Sequence, residues 1–199
     1  MKRLSGWDAF LLYSETPNVH MHTLKIAVIA LDDLGDRTFG VEEFRQVLHG
    51  RLYKLDPFRY QLVDIPFKFH HPMWRENCDV DLEYHIRPWT LPAPGTRRQL
   101  DEAIGQMAST PLDRSRPLWE MYFVEGLENG RIAAVGKVHH ALADGVASAN
   151  LLARSMDLWD ESPESDDHSY VTDPAPSRGG LITSAFADHM RQIKKFPGL

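Results

Sequence analysis

The spacing of apolar positions changes several times along the chain, and each change marks an element. Residues 5–13 place Trp7, Phe10, Leu11 and Leu12 behind the capping residue Ser5, which predicts a short helix. Residues 24–31 are apolar and rich in β-branched side chains, which predicts a strand buried on both faces. A turn is expected over 32–40, after which Val41, Phe44, Val47, Leu48 and Leu52 recur at helical spacing. Prolines 57, 66, 72, 88, 92 and 94 break residues 56–95 into short pieces, with 60–63 and 82–86 read as short strands. Residues 97–109 return to helical spacing through Leu100, Ala103, Ile104 and Met107. Two strands are predicted at 118–124 and 131–138, joined at Glu128-Asn129-Gly130, where Asn-Gly is a strong hairpin signal. A helix from about Val146 to Trp159 follows.

Beyond Asp160 the pattern gives way to an acidic, polar, proline-bearing stretch, read as a mobile linker over 160–180. Leu181, Ile182, Ala185, Phe186, His189, Met190 and Ile193 then form the apolar stripe of a last helix. The expected organisation is one domain over 1–159, the linker, and a crossover helix over 181–199 whose stripe needs a partner surface.

Composition narrows the function. At 199 residues, 43% hydrophobic and 25% charged, the chain is long enough for one packed core. A net charge of -6 gives no electrostatic footprint for nucleic acid. Cys78 is the single cysteine, so neither an intrachain disulfide nor a cysteine-based zinc site is expected. No apolar run reaches the roughly 18 residues of a spanning helix. Lys2 and Arg3 are not followed by the apolar core of a secretory signal. A cytoplasmic protein is expected, peripheral at the inner membrane or lipid inclusions if bound to lipid at all.

The chemistry concentrates in His139-His140-Ala141-Leu142-Ala143-Asp144-Gly145. A lone histidine at a strand end is most often an ordinary core residue. The whole pattern His-His-x-x-x-Asp-Gly is different, arising by chance in on the order of one chain in a few thousand. If the strand persists through both histidines, their side chains diverge and only one aims at a given centre. Gly145 permits a tight turn or a close backbone approach. Asp144 can cap the following helix or anchor the loop to Arg114 or Arg116. Other histidines carry less. His20 and His22 lack a carboxylate or cysteine at ligand spacing, so no metal site is expected. His70-His71 before Pro72 reads as a strand end.

This signature resembles that of the CoA-dependent acyltransferase superfamily. Three further segments narrow the resemblance to the bacterial wax ester synthase/diacylglycerol acyltransferase family. They are Leu4-Ser5-Gly6-Trp7-Asp8-Ala9-Phe10-Leu11-Leu12-Tyr13-Ser14-Glu15-Thr16-Pro17, Pro111-Leu112-Asp113-Arg114-Ser115-Arg116-Pro117-Leu118-Trp119-Glu120, and Asp144-Gly145-Val146-Ala147-Ser148-Ala149. The resemblance implies an α/β (α+β) fold, a mixed β-sheet flanked by helices, forming one half of a chloramphenicol-acetyltransferase-like two-domain enzyme. It implies His140 as general base, His139 as a secondary residue shaping the site, and structural roles for Asp144 and Gly145. It implies a long-chain acyl-CoA as substrate with no cofactor, and a diacylglycerol or long-chain alcohol as acceptor. The C-terminal half of the same enzyme would be the partner. A non-catalytic lipid-surface or partner-binding half, and a condensation-type enzyme using carrier-bound thioesters, are the alternatives.

Overall fold

Strand pairing starts from the hairpin that Asn129-Gly130 predicts. β6 (Trp119–Glu125) and β7 (Ile132–His139) run antiparallel, joined by a turn in which Asn129 takes φ 61° and Gly130 φ 65°. The computed structural model describes residues 1–31, 39–143, 145–155 and 170–194. Most of the turn expected at 32–40, the motif residue Asp144, and the acidic stretch through 169 lie outside the described residues.

β2 (His22–Ile29) adds antiparallel to β7, and β5 (Ile86–Thr90) adds parallel to β6, giving a four-stranded mixed sheet in the order β2-β7-β6-β5. The parallel pair is connected through α4 (Arg97–Ala108), the crossover that parallel strands need. Gly95 allows the loops after β5 and β6 to touch, because a Cβ there would lie 1.8 Å from the Gly126 carbonyl oxygen.

Helices pack on both faces of this sheet. Phe44 and Leu48 of α2 (Val41–His49) and Leu151 and Leu152 of α5 (Gly145–Ser155) pack with Ile132, Ala134 and Val138. On the opposite face Leu100, Ala103 and Met107 of α4 pack with Ala133 and Val135. α5 lies directly on the sheet at Gly136, where a Cβ would sit 2.5 Å from Leu152 Cδ2. α1 (Gly6–Ser14), capped by Ser5, packs Ala9 and Leu12 against Leu112, Leu118 and Ala141, beside the turn that follows β7. A second sheet, β1 (Lys2–Arg3), β4 (Met73–Arg75) and β3 (Gln61–Val63), is antiparallel throughout in the order β1-β4-β3.

Two sequence expectations are corrected. The strand at 24–31 is not buried on both faces. β2 is an edge strand, and Ile26 and Val28 are 47% and 49% exposed. They share a face with Leu24, which reaches the α4 cluster, whereas that single helix does not cover them. Residues 82–86 are not one strand. The Asp81 carboxylate accepts the Tyr84 N–H at 3.1 Å and starts a helical turn, α3 (Leu82–His85), so that β5 begins only at Ile86.

Of the segment 160–180, residues 170–177 run without regular structure over the second sheet. Arg75 donates to the Asp173 carbonyl, Asp173 N–H donates to the Asn77 carbonyl at 2.8 Å, and Arg59 lies over the Tyr170 ring. The last helix, α6 (Arg178–Lys194), buries Leu181 and Ala185 against Ile65 and Met73. Phe186 and Met190 of its stripe stay exposed.

Candidate active site

β7 ends at His139, and His140 opens the turn into α5. The two imidazoles are thus separated by the end of the strand, not by alternation along a strand running through both. His139 is 1% exposed, while His140 is partly exposed. Backbone bonds fix the turn. His139 N–H donates to the Leu118 carbonyl at 3.0 Å, His140 N–H to the Met21 carbonyl at 2.8 Å, and Leu142 N–H to the His139 carbonyl at 2.9 Å.

His139 is locked in one tautomer. Ala141 N–H donates to its Nδ1 at 3.0 Å, so the ring proton of the neutral form sits on Nε2. Nε2 faces Glu15 Oε1 at 3.6 Å, beyond hydrogen-bond distance. Burial pushes the imidazole down to about 4, and the nearby Glu15 carboxylate opposes this without reversing it. At neutral pH His139 is therefore an uncharged strut.

The Glu15 carboxylate is 9% exposed at the end of α1. Its Oε2 accepts from Arg114 Nη2 at 2.8 Å and its Oε1 from Met21 N–H at 3.2 Å. Burial alone would raise its pKa, but the bonds from Arg114 and Met21 outweigh it and hold the carboxyl below its ordinary range. Arg114 also donates to the Leu12 carbonyl. Arg116 donates to Asp81 at 3.0 Å. Both arginines named as anchors for Asp144 thus engage other carboxylates. Asp144 lies outside the described residues, and Gly145 is the first residue of α5.

Nearby polar groups organise the same end of the sheet. His20 and His22 stack at 5.3 Å and donate from Nε2 to the Ser109 and Ala108 carbonyls, each at 3.1 Å, closing the C-terminus of α4. Lys137, fully buried in β7, pairs with Glu120 at 2.9 Å and donates to the Met107 and Thr110 carbonyls. Cys78 is buried, and burial raises its thiol to about 11, so it stays a thiol at neutral pH. Among the described residues no helix is long and apolar enough to cross a membrane.

The model of the wax ester synthase/diacylglycerol acyltransferase catalytic domain matches residues 4–198. The chain belongs to this family. Within the wax ester synthase/diacylglycerol acyltransferase family, a Mycobacterium tuberculosis protein named as a diacylglycerol O-acyltransferase is 67% identical over 99% of this chain. The chain spans 41% of that relative's length. Another protein of that organism, likewise named, is 32% identical over 94% of the chain, which spans 68% of its length. The solved wax ester synthase/diacylglycerol acyltransferase of Marinobacter aquaeolei VT8 superposes with a TM-score of 0.65 at 26% identity, over 100% of this chain and 48% of that one. The starter condensation domain of rhizomide synthetase, at 15% identity and a TM-score of 0.60 over 96% of this chain and 45% of its own, shares the fold. The expected mixed sheet flanked by helices is thus the architecture of this wax ester synthase/diacylglycerol acyltransferase chain.

Two of the three segments that carry the family resemblance meet beside the histidine turn. Glu15 comes from the first and Arg114 from the second, and the Glu15 carboxylate lies 3.6 Å from His139. Sequence reasoning did not single out Glu15, Met21 or Lys137. Lys137 alone carried a signal, as a charge inside an otherwise apolar strand, which demands a buried partner.

The buried histidines make stability pH-dependent. His139 and His85 both titrate near 4, burial being the first cause in each. An unfolded chain takes up these protons near 6.5, so between 6.5 and 4 it binds more protons than the native state. Stability should therefore fall as pH falls through that window, by about 3 kcal/mol for each histidine. Urea melts from pH 7 to 4 test this, and His139→Gln should remove about half of the histidine contribution. An unchanged slope in that variant would refute the assignment for His139.

Proposed function

We propose that this chain provides the N-terminal half of an O-acyltransferase site that moves a long-chain acyl group from acyl-CoA to a diacylglycerol or long-chain alcohol. The observation that carries this reading is the placement of His140. The residue is partly exposed just past a strand end, its backbone is bonded to Met21, and the neighbouring His139 is held neutral.

In this reading the acceptor hydroxyl oxygen attacks the thioester carbonyl carbon while His140 takes the hydroxyl proton. A free imidazole is far too weak a base to ionise an alcohol outright, so proton transfer accompanies attack. The tetrahedral oxyanion collapses, the carbon–sulfur bond breaks, and the proton on His140 passes to the CoA thiolate. Ester and free CoA result, with no net proton change and no acyl-enzyme. The resemblance gives Asp144 and Gly145 structural roles, and acyl-CoA enters as a substrate. The relatives' additional length supplies the second wall of the site. Lipid acceptors place the enzyme peripherally at a membrane or lipid inclusion in the cytoplasm, where Trp7, Phe10 and Tyr13, exposed on α1, offer apolar contact.

The test combines this chain with the C-terminal remainder of the M. tuberculosis relative and supplies palmitoyl-CoA with dipalmitoylglycerol or hexadecanol. Ester and free thiol should appear in equal amounts and depend on the acceptor. Thiol release without ester, or a preference for a carrier-bound thioester over acyl-CoA, would overturn the reading.

A further inference from the structure

We propose that Glu15 is a positioning residue for this transfer, clamping Met21 so that the Met21 carbonyl holds the backbone of His140. The proposal rests on the reading of His140 as the base and adds what keeps that base in place.

Glu15 ends α1, Arg114 lies in the connection between α4 and β6, Met21 leads into β2, and His139 ends β7. One nearly buried carboxylate faces all of them. Oε2 takes the Arg114 guanidinium at 2.8 Å, Oε1 takes the Met21 N–H at 3.2 Å, and Oε1 also lies 3.6 Å from His139 Nε2. From Met21 the next bond reaches the motif, because its carbonyl accepts the His140 N–H at 2.8 Å. His140 has left the β-ladder, so this bond replaces the strand pairing that fixes His139 opposite His22.

A carboxylate suits this place for two reasons. Two donors arrive from different elements, and a carboxylate offers an acceptor oxygen to each. One donor is a guanidinium, whose charge beside the histidine turn is balanced by the anion. Gln offers one oxygen and turns an N–H toward the other donor, so it preserves the shape and only part of the clamp. Ala removes it.

The fold does not depend on this carboxylate alone. α1 keeps its Ser5 cap and its buried Ala9 and Leu12. The first measurement is amide hydrogen exchange on the 199-residue chain. Glu15→Ala should speed exchange at His140, while Val135 in the middle of β7 stays protected; Glu15→Gln should fall between Glu15→Ala and the parent chain. Unchanged exchange at His140 in Glu15→Ala would overturn the proposal.

The second is kinetic, on the chain combined with a C-terminal remainder as above. Small misplacement of a catalytic group costs on the order of 10²-fold, so Glu15→Ala should lower kcat by about 10²-fold with KM for acyl-CoA unchanged. Adding Glu15→Ala to His140→Ala should cost nothing more, since the clamp acts through His140. A collapse in His140→Ala with full kcat in Glu15→Ala would reject the clamp and leave the base standing. Full activity in His140→Ala would reject both.

Discussion

Replacing His140 by Ala is expected to lower acyl transfer by about 10²–10⁴-fold while leaving the protein folded. The magnitude is that of losing general-base help, because an acceptor hydroxyl cannot attack a thioester without somewhere to send its proton. Stability should be nearly unchanged for local reasons. His140 is partly exposed, and the bond that ties the residue to Met21 comes from its backbone, which Ala retains. The neighbouring histidine should behave in the opposite sense. His139 is buried and accepts the Ala141 N–H, so His139→Ala opens a cavity and leaves that donor unpaired. The thermal midpoint of the chain, and the initial rate of the chain combined with a C-terminal remainder as above, separate the roles: His140→Ala moves the rate alone, and His139→Ala moves the midpoint. A rate that survives His140→Ala would place the base elsewhere.

The contrast between these histidines was legible in the sequence only in part. The motif, the hairpin before it and the helix after it were readable because Asn129-Gly130 fixes the register and the apolar period changes at the motif. The sequence also led to an expectation that the two imidazoles diverge, so that only one aims at a given centre. Alternation would have separated them along a continuous strand, whereas the structure separates them by ending the strand. The residues around the motif were not readable, because they meet across large gaps in sequence. Glu15 reaches Arg114, 99 positions away, and nothing in the local pattern near Glu15 announces that partner. The same limit explains the corrected elements. Edge position decides that Ile26 and Val28 are exposed, and an aspartate cap decides that 82–85 turn as helix. Neither follows from a run of apolar residues.

Removing the charge of Lys137 should produce the largest loss of stability available from a single polar side chain in this sheet. Lys137 is 0% exposed and Glu120 4%, paired at 2.9 Å across β6 and β7. Glu120 also accepts from the Tyr122 hydroxyl at 2.8 Å and from Arg87 at 3.3 Å. The lysine side bonds the Met107 and Thr110 carbonyls, so a cation sits at the end of α4, where the helix dipole favours it. Burial lowers the lysine's pKa, and only the bond and charge of Glu120 resist that. Breaking such a pair from one side leaves an uncompensated buried charge, at a cost of about 3–5 kcal/mol. Lys137→Met, which keeps much of the volume, should fall at the lower end because Arg87 and Tyr122 still reach Glu120. For a chain of this size about 3 kcal/mol corresponds to a midpoint lower by about 6–12 °C in thermal denaturation. Adding Glu120→Gln removes the stranded charge yet keeps an acceptor for Tyr122, so the double variant should recover most of the loss. If the double variant is no more stable than Lys137→Met, the penalty comes from the lost donors to the Met107 and Thr110 carbonyls and not from the unpaired carboxylate. The result matters for the site, because Lys137 lies two residues before His139 on the strand that delivers His140. A loosened end of β7 would reach the motif before it reached the hairpin turn.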